Sequence, residues 1–414
     1  MNSRERFIET MVHRNPNVKT LKWEFGYWGG TMNQWYKEGL PKKNYAQVPS
    51  EYTDITNSVY TYAWRADNKY ISGDEYPNGY ALSGGNVYMP SQGFAIDSDV
   101  RDYFGLDKIM MRVDVNLFFD PIYEPRTIFE SDEKLEYIDV DGARRIYLKE
   151  SATIPTTFDC PIKDLKSWEK VKEERLSFKN IKSRFPKNWE KVFEEYRNRD
   201  YPLVLGGYPF GIFGTLAHLL GYEKLFYAYY DDPELIHDML GTFTDLWIAV
   251  FEEALQYTTV DAAQIWEDIS FGNGCMISSD LMNEFMRPYY QKLVAFFKSK
   301  GIEAIFVDTD GNCWDIIPFF LECGVTGMFP FEADCKMDVA KVRRKYPDLM
   351  MCGGIPKSQI GLGRARIDQL LDAAAPVIKG GRYIPFGDHF IPPEVHFEDF
   401  KYYREKLNRL IEES

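Results

Sequence analysis

The sequence predicts an α/β fold, namely a (β/α)8 barrel of the TIM type with an N-terminal insertion region that contains antiparallel hairpins. Short apolar runs typical of buried strands begin near residues 20, 110, 203, 261, 304, 326, 350 and 383, mostly with helical periodicity between them. Eight such alternations fit the barrel, whose usual core of about 250 residues leaves room for insertions. A doubly wound open sheet is the alternative, but no G-x-G-x-x-G follows a first strand.

Composition excludes several classes of protein. The chain has 414 residues and a net charge of −14, so phosphate backbones are repelled on average and we expect no nucleic-acid partner. No apolar run approaches the roughly 20 residues that span a bilayer, so no membrane partner is expected. Six scattered cysteines without a CxxC pair suit reduced thiols, and we expect a cytoplasmic location.

The N-terminal part carries both predicted insertions. Residues 3–13 read as an amphipathic helix, and TLKWEF at 20–25 reads as the first strand. Residues 41–100 lack periodicity and are rich in Tyr, Asn, Ser, Gly and Pro, so we interpret them as an insertion over the barrel mouth. The alternating strand 109–117 precedes a second insertion, 118–160, in which Asp141-Gly142 between two alternating runs predicts a hairpin turn.

The remaining elements alternate along one barrel domain that we assign to 1–414. Predicted strands lie at 201–206, 260–266, 302–307, 325–331, 349–353 and 382–386, and predicted helices at 163–198, 214–257, 278–300, 314–323, 338–345, 366–379 and 397–412. In a barrel the carboxyl ends of these strands meet at one mouth, where active sites are built. Whether the chain forms a homodimer is left open.

Acidic residues follow most of these strands. Glu267, Asp308, Asp310 and His389 are predicted to be catalytic, and the predicted substrate-binding residues are Trp23, Glu24, Tyr27, Trp28, Tyr208, Phe210, Glu332 and Asp388. Asp268 lies in the same ring of acids. So many carboxyl groups repel one another, so some must be protonated, paired or bound to a cation. For any single residue, a helix cap or turn former is an equally good interpretation.

Two further features favour a small-molecule site. His389 lies in GDHFIPPE after the last predicted strand, in a loop stiffened by two prolines, and could donate a proton or orient a substrate oxygen. The aromatic loop that begins with Trp23 predicts either lid packing or a wall for a flat apolar substrate. Four later cysteines lack zinc-ligand spacing and are interpreted as buried small hydrophobes.

Several segments together resemble the uroporphyrinogen decarboxylase superfamily, and specifically its corrinoid-dependent methyltransferase branch. These are SRERFIETMVHRNP, NGCMISSDLMNEFMRPYYQKLVAFFKSKGIEAIFVDTDGN, GGIPK and GDHFIPPEVHFEDFKYYREKL. The resemblance extends over about 200–412 and the N-terminal helix but is poor over 40–160. It implies a (β/α)8 barrel.

The sequence departs from this family at two places. The arginine-rich signature of the decarboxylases is replaced by WEFGYWGGTMNQWYKEG, which has no Arg and two Glu, so a polyanionic substrate would bind unfavourably. The zinc ligands of the thiol-directed methyltransferases correspond to Asp308, Asp310 and the region of Asp388. Without a thiolate there, an oxygen-liganded divalent metal at these three positions, or no metal, is expected.

The resemblance and the aromatic loop together suggest a methyltransferase that passes a methyl group from a small methylated compound, possibly a methoxylated aromatic, to a separate corrinoid protein. No D-x-H-x-x-G signature occurs, so the corrinoid would arrive on that partner and no tightly bound cofactor is expected. The chemistry requires protonation or Lewis-acid activation of the leaving oxygen. A cofactor-independent decarboxylase of a non-porphyrin carboxylate and a non-catalytic binding protein are the alternatives.

Overall fold

A computed structural model describes residues 1–41, 98–124, 126–139, 141–148, 156–186 and 189–414. The predicted insertion 41–100 therefore lies outside the described residues, apart from its two ends. The second predicted insertion, 118–160, is described for the most part.

Strands and short helices alternate along most of the described chain. The strands are β1 (Met111–Arg112), β2 (Arg126–Glu130), β3 (Lys134–Ile138), β4 (Arg144–Leu148), β5 (Thr156–Asp159), β6 (Leu203–Gly206), β7 (Ala262–Trp266), β8 (Ser270–Phe271), β9 (Gly274–Cys275), β10 (Ala304–Asp308), β11 (Gly327–Phe329), β12 (Met350–Cys352) and β13 (Tyr383–Ile384). The helices are α1 (Ser3–Phe7), α2 (Gly29–Lys37), α3 (Ser98–Phe104), α4 (Leu165–Arg175), α5 (Trp189–Arg197), α6 (Ile212–Leu220), α7 (Tyr222–Asp231), α8 (Pro233–Ala254), α9 (Ser279–Leu281), α10 (Arg287–Ser299), α11 (Ile317–Cys323), α12 (Val339–Lys345), α13 (Lys357–Ile360), α14 (Arg364–Lys379) and α15 (Phe397–Glu413).

The central sheet is parallel. Among the described residues it has seven strands in the order β1-β6-β7-β10-β11-β12-β13, so neighbours follow the chain order. Every residue of β6, β7 and β10 is buried, because apolar side chains face the helices on one side and the interior of the curled sheet on the other. The predicted α/β class is confirmed in this form, a curled parallel sheet of seven strands.

Large aromatic side chains fill the interior of the curled sheet. The ring of Phe306 on β10 lies next to that of Phe329 on β11, with centroids 6.2 Å apart. A Cβ atom on Gly327 would lie 2.5 Å from the Phe306 ring, so only glycine fits at this position. The interior is thus packed to the point that one strand residue must lack a side chain.

The predicted first strand, 20–25, does not form a regular strand, and this part of the prediction is wrong. The segment nevertheless bonds to both sheet edges: Asp107 N donates to Lys22 O (3.0 Å), and Thr20 Oγ1 donates to Tyr383 O (2.8 Å). A single parallel bridge joins Tyr27 to Ile391. Because the edge strands β1 and β13 have only two residues each, they offer too few partners for a ladder.

A four-stranded antiparallel sheet, β2-β3-β4-β5, lies within the second predicted insertion. Asp141 and Gly142 lie in the turn between β3 and β4, where Gly142 has φ of 78° and Asp139 N donates to Ala143 O (2.9 Å). The sheet packs on α6, and Arg145 Nη2 donates to the carbonyl of His218 (3.0 Å). None of the helices in the described part of the chain combines the length and apolar character that a membrane crossing requires.

Candidate active site

The predicted acids do follow the parallel strands, and the structure gives them different environments. Glu267 and Asp268 follow β7, Asp308 ends β10, and Asp388 follows β13. Because all these strands run in the same direction, the side chains gather at the carboxyl end of the sheet. Which of them can act on a substrate depends on what each one contacts.

Glu267 contacts the first turn of α6. Its two carboxylate oxygens accept hydrogen bonds from the amides of Ile212 (3.0 Å), Phe213 (2.7 Å) and Gly214 (2.9 Å) and from the hydroxyl of Tyr290. Burial raises the pKa of Glu267 to about 7, while these four donors favour the ionised form. A carboxylate in this position satisfies the unpaired amides of a helix N-terminus.

Glu24 is also fully buried and is paired. Arg404 Nη1 on α15 lies 3.3 Å from Glu24 Oε2, and the amide of Gly387 donates to Oε1. Burial raises the pKa of Glu24, and the charge of Arg404 opposes this shift. These contacts tie the irregular segment that contains Glu24 to the last helix and to the loop after β13.

Asp268, Asp308 and Asp310 form a cluster of carboxyl groups that interact electrostatically. Burial, and then the charge of Asp310, raises the pKa values of both Asp268 and Asp308 well above the ordinary value. Gln264 Nε2 donates to Asp308 (3.1 Å), and His389 Nε2 lies 3.4 Å from Asp310 Oδ2. Burial and the neighbouring charge thus both favour the protonated forms of Asp268 and Asp308.

Lys357, at the start of α13, neutralises two other acids of the mouth. Its Nζ lies 3.2 Å from Glu332 and 3.6 Å from Asp388. Asp388 also accepts hydrogen bonds from the amides of Ala333 (2.8 Å) and Lys357 (2.9 Å). Although burial acts in the opposite direction, Lys357 holds the pKa of Glu332 below its ordinary value.

The arrangement does not fit the metal site considered from the sequence. Within the described ranges, no three His, Cys, Asp or Glu side chains lie close enough together to hold a metal ion. Asp388 directs both oxygens to backbone amides, whereas Asp308 accepts from Gln264 on the neighbouring strand. The described side chains therefore do not fit a metal ion held by Asp308, Asp310 and Asp388.

A cavity of about 690 Å³ opens between the mouth of the parallel sheet and the antiparallel sheet. Its walls include the aromatic side chains of Phe158, Tyr208, Tyr222 and Trp266, and Asp268 lies at its border. A second cavity, of about 720 Å³, is lined by residues at the opposite ends of the strands. We place the site in the first cavity, because the carboxyl ends of parallel strands carry active sites in barrels.

Tyr208, in the loop after β6, is the only predicted substrate-binding residue that lines this cavity. Its hydroxyl lies 3.0 Å from Nδ1 of His218 on α6, and His218 Nε2 lies 2.9 Å from Asp141 Oδ2 in the antiparallel sheet. Asp141 is paired with Arg145 through contacts of 2.6 and 2.9 Å. The three side chains Tyr208, His218 and Asp141 thus form a hydrogen-bonded chain that ends at the cavity.

The other predicted aromatic residues do not reach the cavity. Trp23 is fully buried against Phe7 in the sheet interior, and Phe210 is fully buried against Trp247. Tyr27 is fully buried against Trp35, which supports the lid-packing interpretation for this ring. Trp28 is half-buried and packs on Phe390, in the loop after β13.

Comparison with known families places the chain among proteins of this architecture. The family model for uroporphyrinogen decarboxylase (URO-D) matches residues 163–410, which is more than half of the chain. The chain belongs to the uroporphyrinogen decarboxylase family. No curated protein matches it. One similar solved structure is a putative vitamin-B12 independent methionine synthase from Listeria monocytogenes, with 12% identity and a TM-score of 0.29 over 54% of this chain and 69% of that one, and this likeness carries no argument.

Some of the groups in the cavity of this uroporphyrinogen decarboxylase family member were missed from the sequence. The sequence predicts a helix at 214–257, which includes His218, and a turn at Asp141, and assigns neither residue to the site. Asp268 belongs to the predicted ring of acids but is not among the predicted catalytic residues. Only its conformation distinguishes Asp268, because its φ of 43° is uncommon for a residue with a side chain, and residue spacing gives no sign of this angle.

Proposed function

We propose that this member of the uroporphyrinogen decarboxylase family is a methyltransferase that transfers a methyl group from a small methylated aromatic compound to a separate corrinoid protein. The family comparison supports an enzyme of the decarboxylase and methyltransferase superfamily. The observation that carries the proposal is a cavity with aromatic walls and a carboxyl group of raised pKa, Asp268, at its border. Such a cavity suits a flat apolar donor whose leaving oxygen requires a proton.

The residues have separate tasks in this reaction. The acceptor corrinoid, carried on its own protein, would supply the electron pair that forms the new bond to the methyl carbon. The bond between that carbon and the donor oxygen breaks, and its electrons remain on the oxygen. Asp268 would give this oxygen a proton, and the aromatic walls formed by Tyr208, Tyr222 and Trp266 would hold the ring in place.

The proposal also includes a closed barrel. The segment 20–27 would take the place of the eighth strand, since it bonds to residues next to β1 and β13 on its two sides. The insertion around the antiparallel sheet would then cover one side of the mouth. This arrangement leaves the acceptor protein to approach from the side on which the cavity opens.

Replacement of Asp268 by Asn tests the proposed acid without disturbing the backbone, because Asn accepts positive φ as readily as Asp. We expect the single-turnover rate of methyl transfer to fall by about 100-fold or more, the usual contribution of a general acid. The assay mixes the protein with methoxybenzenes and a corrinoid protein reduced to Co(I), with free cob(I)alamin as a second acceptor. The methylated corrinoid is followed by its absorption spectrum.

Asp280→Asn, on the exposed start of α9, is the matched control and should keep the wild-type rate. If no donor in the panel produced the methylated corrinoid with the wild-type protein, the proposed reaction would be refuted. If Asp268→Asn retained the full rate, the proton would have to come from another group.

A decarboxylase is the second candidate, because a cation also lines the cavity. Lys224 on α7 lies at its edge, with its Nζ donating to the carbonyl of Ile162. An ammonium group in this position could bind a substrate carboxylate. This alternative predicts release of carbon dioxide from an aromatic acid without any corrinoid, and that release would be abolished by Lys224→Met.

A further inference from the structure

We infer that Tyr208 is a specificity-determining residue that accepts a hydrogen bond from the substrate, and that His218 and Asp141 are positioning residues that fix the direction of its own proton. The inference rests on the proposed function for the nature of the reaction, but not for the binding chemistry. The cavity would then bind a methyl-carrying substrate whose aromatic ring also bears a hydroxyl group or another group that donates a hydrogen bond.

Asp141 acts only as a hydrogen-bond acceptor. Arg145 contacts both of its oxygens, and the amide of Ala143 donates to Oδ1 (2.9 Å). Although burial opposes the effect, Arg145 and His218 hold the pKa of Asp141 well below its ordinary value. An ionised carboxylate has no proton to give, so His218 Nε2, 2.9 Å from Oδ2, must carry one.

The hydrogen bonds of Arg145 exclude the other tautomer of His218, in which the proton lies on Nδ1. Arg145 Nη2 lies 3.1 Å from His218 Nε2 and could in principle donate to it. However, an Nη atom has two hydrogens, and those of Nη2 are directed to Asp141 Oδ2 (2.6 Å) and to His218 O (3.0 Å). Nε2 is therefore the donor to Asp141, and Nδ1 of the neutral ring is an acceptor.

The Tyr208 hydroxyl must then donate its proton to His218. The hydroxyl oxygen lies 3.0 Å from the acceptor Nδ1, so the single Tyr208 proton is directed to His218. A phenolic oxygen that donates its proton can still accept hydrogen bonds. The ring of Tyr208 lines the cavity and packs edge-on against Trp266, with centroids 4.4 Å apart, which fixes the position of the oxygen. Tyr208 therefore offers an acceptor rather than a donor to the substrate.

The cavity thus carries two complementary polar groups on aromatic walls. Tyr208 offers an acceptor, and Asp268, with its raised pKa, offers a donor. A ring that bears one hydroxyl and one methoxyl group matches both. An analogue that lacks the hydroxyl cannot form the hydrogen bond to Tyr208 and should bind more weakly. Asp141 belongs to the antiparallel sheet, so this insertion takes part in the selection of the substrate.

The test compares 4-methoxyphenol with 1,4-dimethoxybenzene, which has a similar shape but no hydroxyl. Binding is measured by calorimetry without any corrinoid. We expect the wild-type protein to prefer the phenol by about 10-fold, the effect of one hydrogen bond. Tyr208→Phe keeps the ring packing and should bind both compounds equally. Asp141→Asn, whose amide can donate to Nε2, should also lose the preference because it permits the other tautomer.

Tyr227→Phe is the matched control. Tyr227 lines the same cavity but is 65% exposed, and it does not belong to the hydrogen-bonded chain of Tyr208, His218 and Asp141. It should keep the wild-type preference. If the wild-type protein bound both compounds equally or bound neither, or if Tyr208→Phe kept the preference, the inference would be wrong. A preference in binding without methyl transfer would refute only the proposed reaction. Methyl transfer combined with equal binding of the two compounds would refute only this inference.

Discussion

The role of Glu267 as the cap of α6 can be tested through the free energy of unfolding. Glu267→Ala would leave the amides of Ile212, Phe213 and Gly214, and the Tyr290 hydroxyl, without their acceptor. At about 1 kcal/mol for each lost hydrogen bond, four losses come to about 4 kcal/mol. Removal of a buried carboxylate returns part of this, so we expect a net loss of about 3 kcal/mol.

The measurement is denaturant unfolding followed by tryptophan fluorescence, with Glu284→Ala as the control. Glu284 has a side chain that is 58% exposed, and its replacement should change the stability by less than about 0.5 kcal/mol. The capping role would be refuted by a loss below about 1 kcal/mol for Glu267→Ala. A variant that folds normally but no longer transfers methyl groups would instead restore Glu267 as a catalytic candidate.

The pH dependence gives an independent reading of the same residue. Burial raises the pKa of Glu267 from an ordinary 4.5 to about 7 in the folded protein. Between pH 4.5 and about 7 the folded state therefore binds more protons than the unfolded state. The stability that protonated Glu267 contributes is lost as the pH rises through this window. Glu267→Gln does not titrate, so the stability of the wild-type protein relative to this variant should fall across that window.

Three further predictions concern other buried groups. Arg404→Met removes the cation that pairs with the buried Glu24, and thermal and chemical unfolding should show a loss of about 3–5 kcal/mol, whereas Glu24→Gln combined with Arg404→Met should recover part of it. Gly327→Ala places a Cβ 2.5 Å from the Phe306 ring and should cost about 1–3 kcal/mol in the same assay. Burial, and then the charge of Arg145, lowers the pKa of His218 below 6.5, so the unfolded state binds more protons than the folded state. The free energy of unfolding should therefore fall as the pH drops below 6.5, and His218→Gln should remove this part of the pH dependence.

The sequence allowed the parallel strands from β6 to β13 to be predicted, because each is buried on both faces and reads as an apolar run. It failed for 20–25, where Leu21, Trp23 and Phe25 alternate with polar residues as in a strand but the neighbours in the sheet are two-residue strands. The lengths of those partner strands are set by tertiary packing and leave no local signal.

The site could be predicted only in part for a related reason. The sequence has two acids directly after β7, but Glu267 and Asp268, although adjacent in sequence, have opposite surroundings. Glu267 faces the amides of α6, and Asp268 turns to the cavity through its left-handed backbone. His218 and Asp141 come from separate segments that meet only when the antiparallel sheet packs on α6. Neither the turn of a backbone nor a contact between distant segments is encoded in residue spacing.

The attachment of α6 at two points has a consequence for local unfolding. Its first turn is held by Glu267, which follows β7, whereas His218, near its other end, is held by Asp141 and Arg145 of the antiparallel sheet. Among the described residues no strand of the central sheet pairs with the antiparallel sheet, so we expect the parallel sheet to remain folded while the antiparallel sheet detaches. In such a partly open state Asp141 would leave His218 and the imidazole could exchange tautomers, so hydrogen exchange at β3 and β4 would report how often selectivity is lost in an otherwise native molecule.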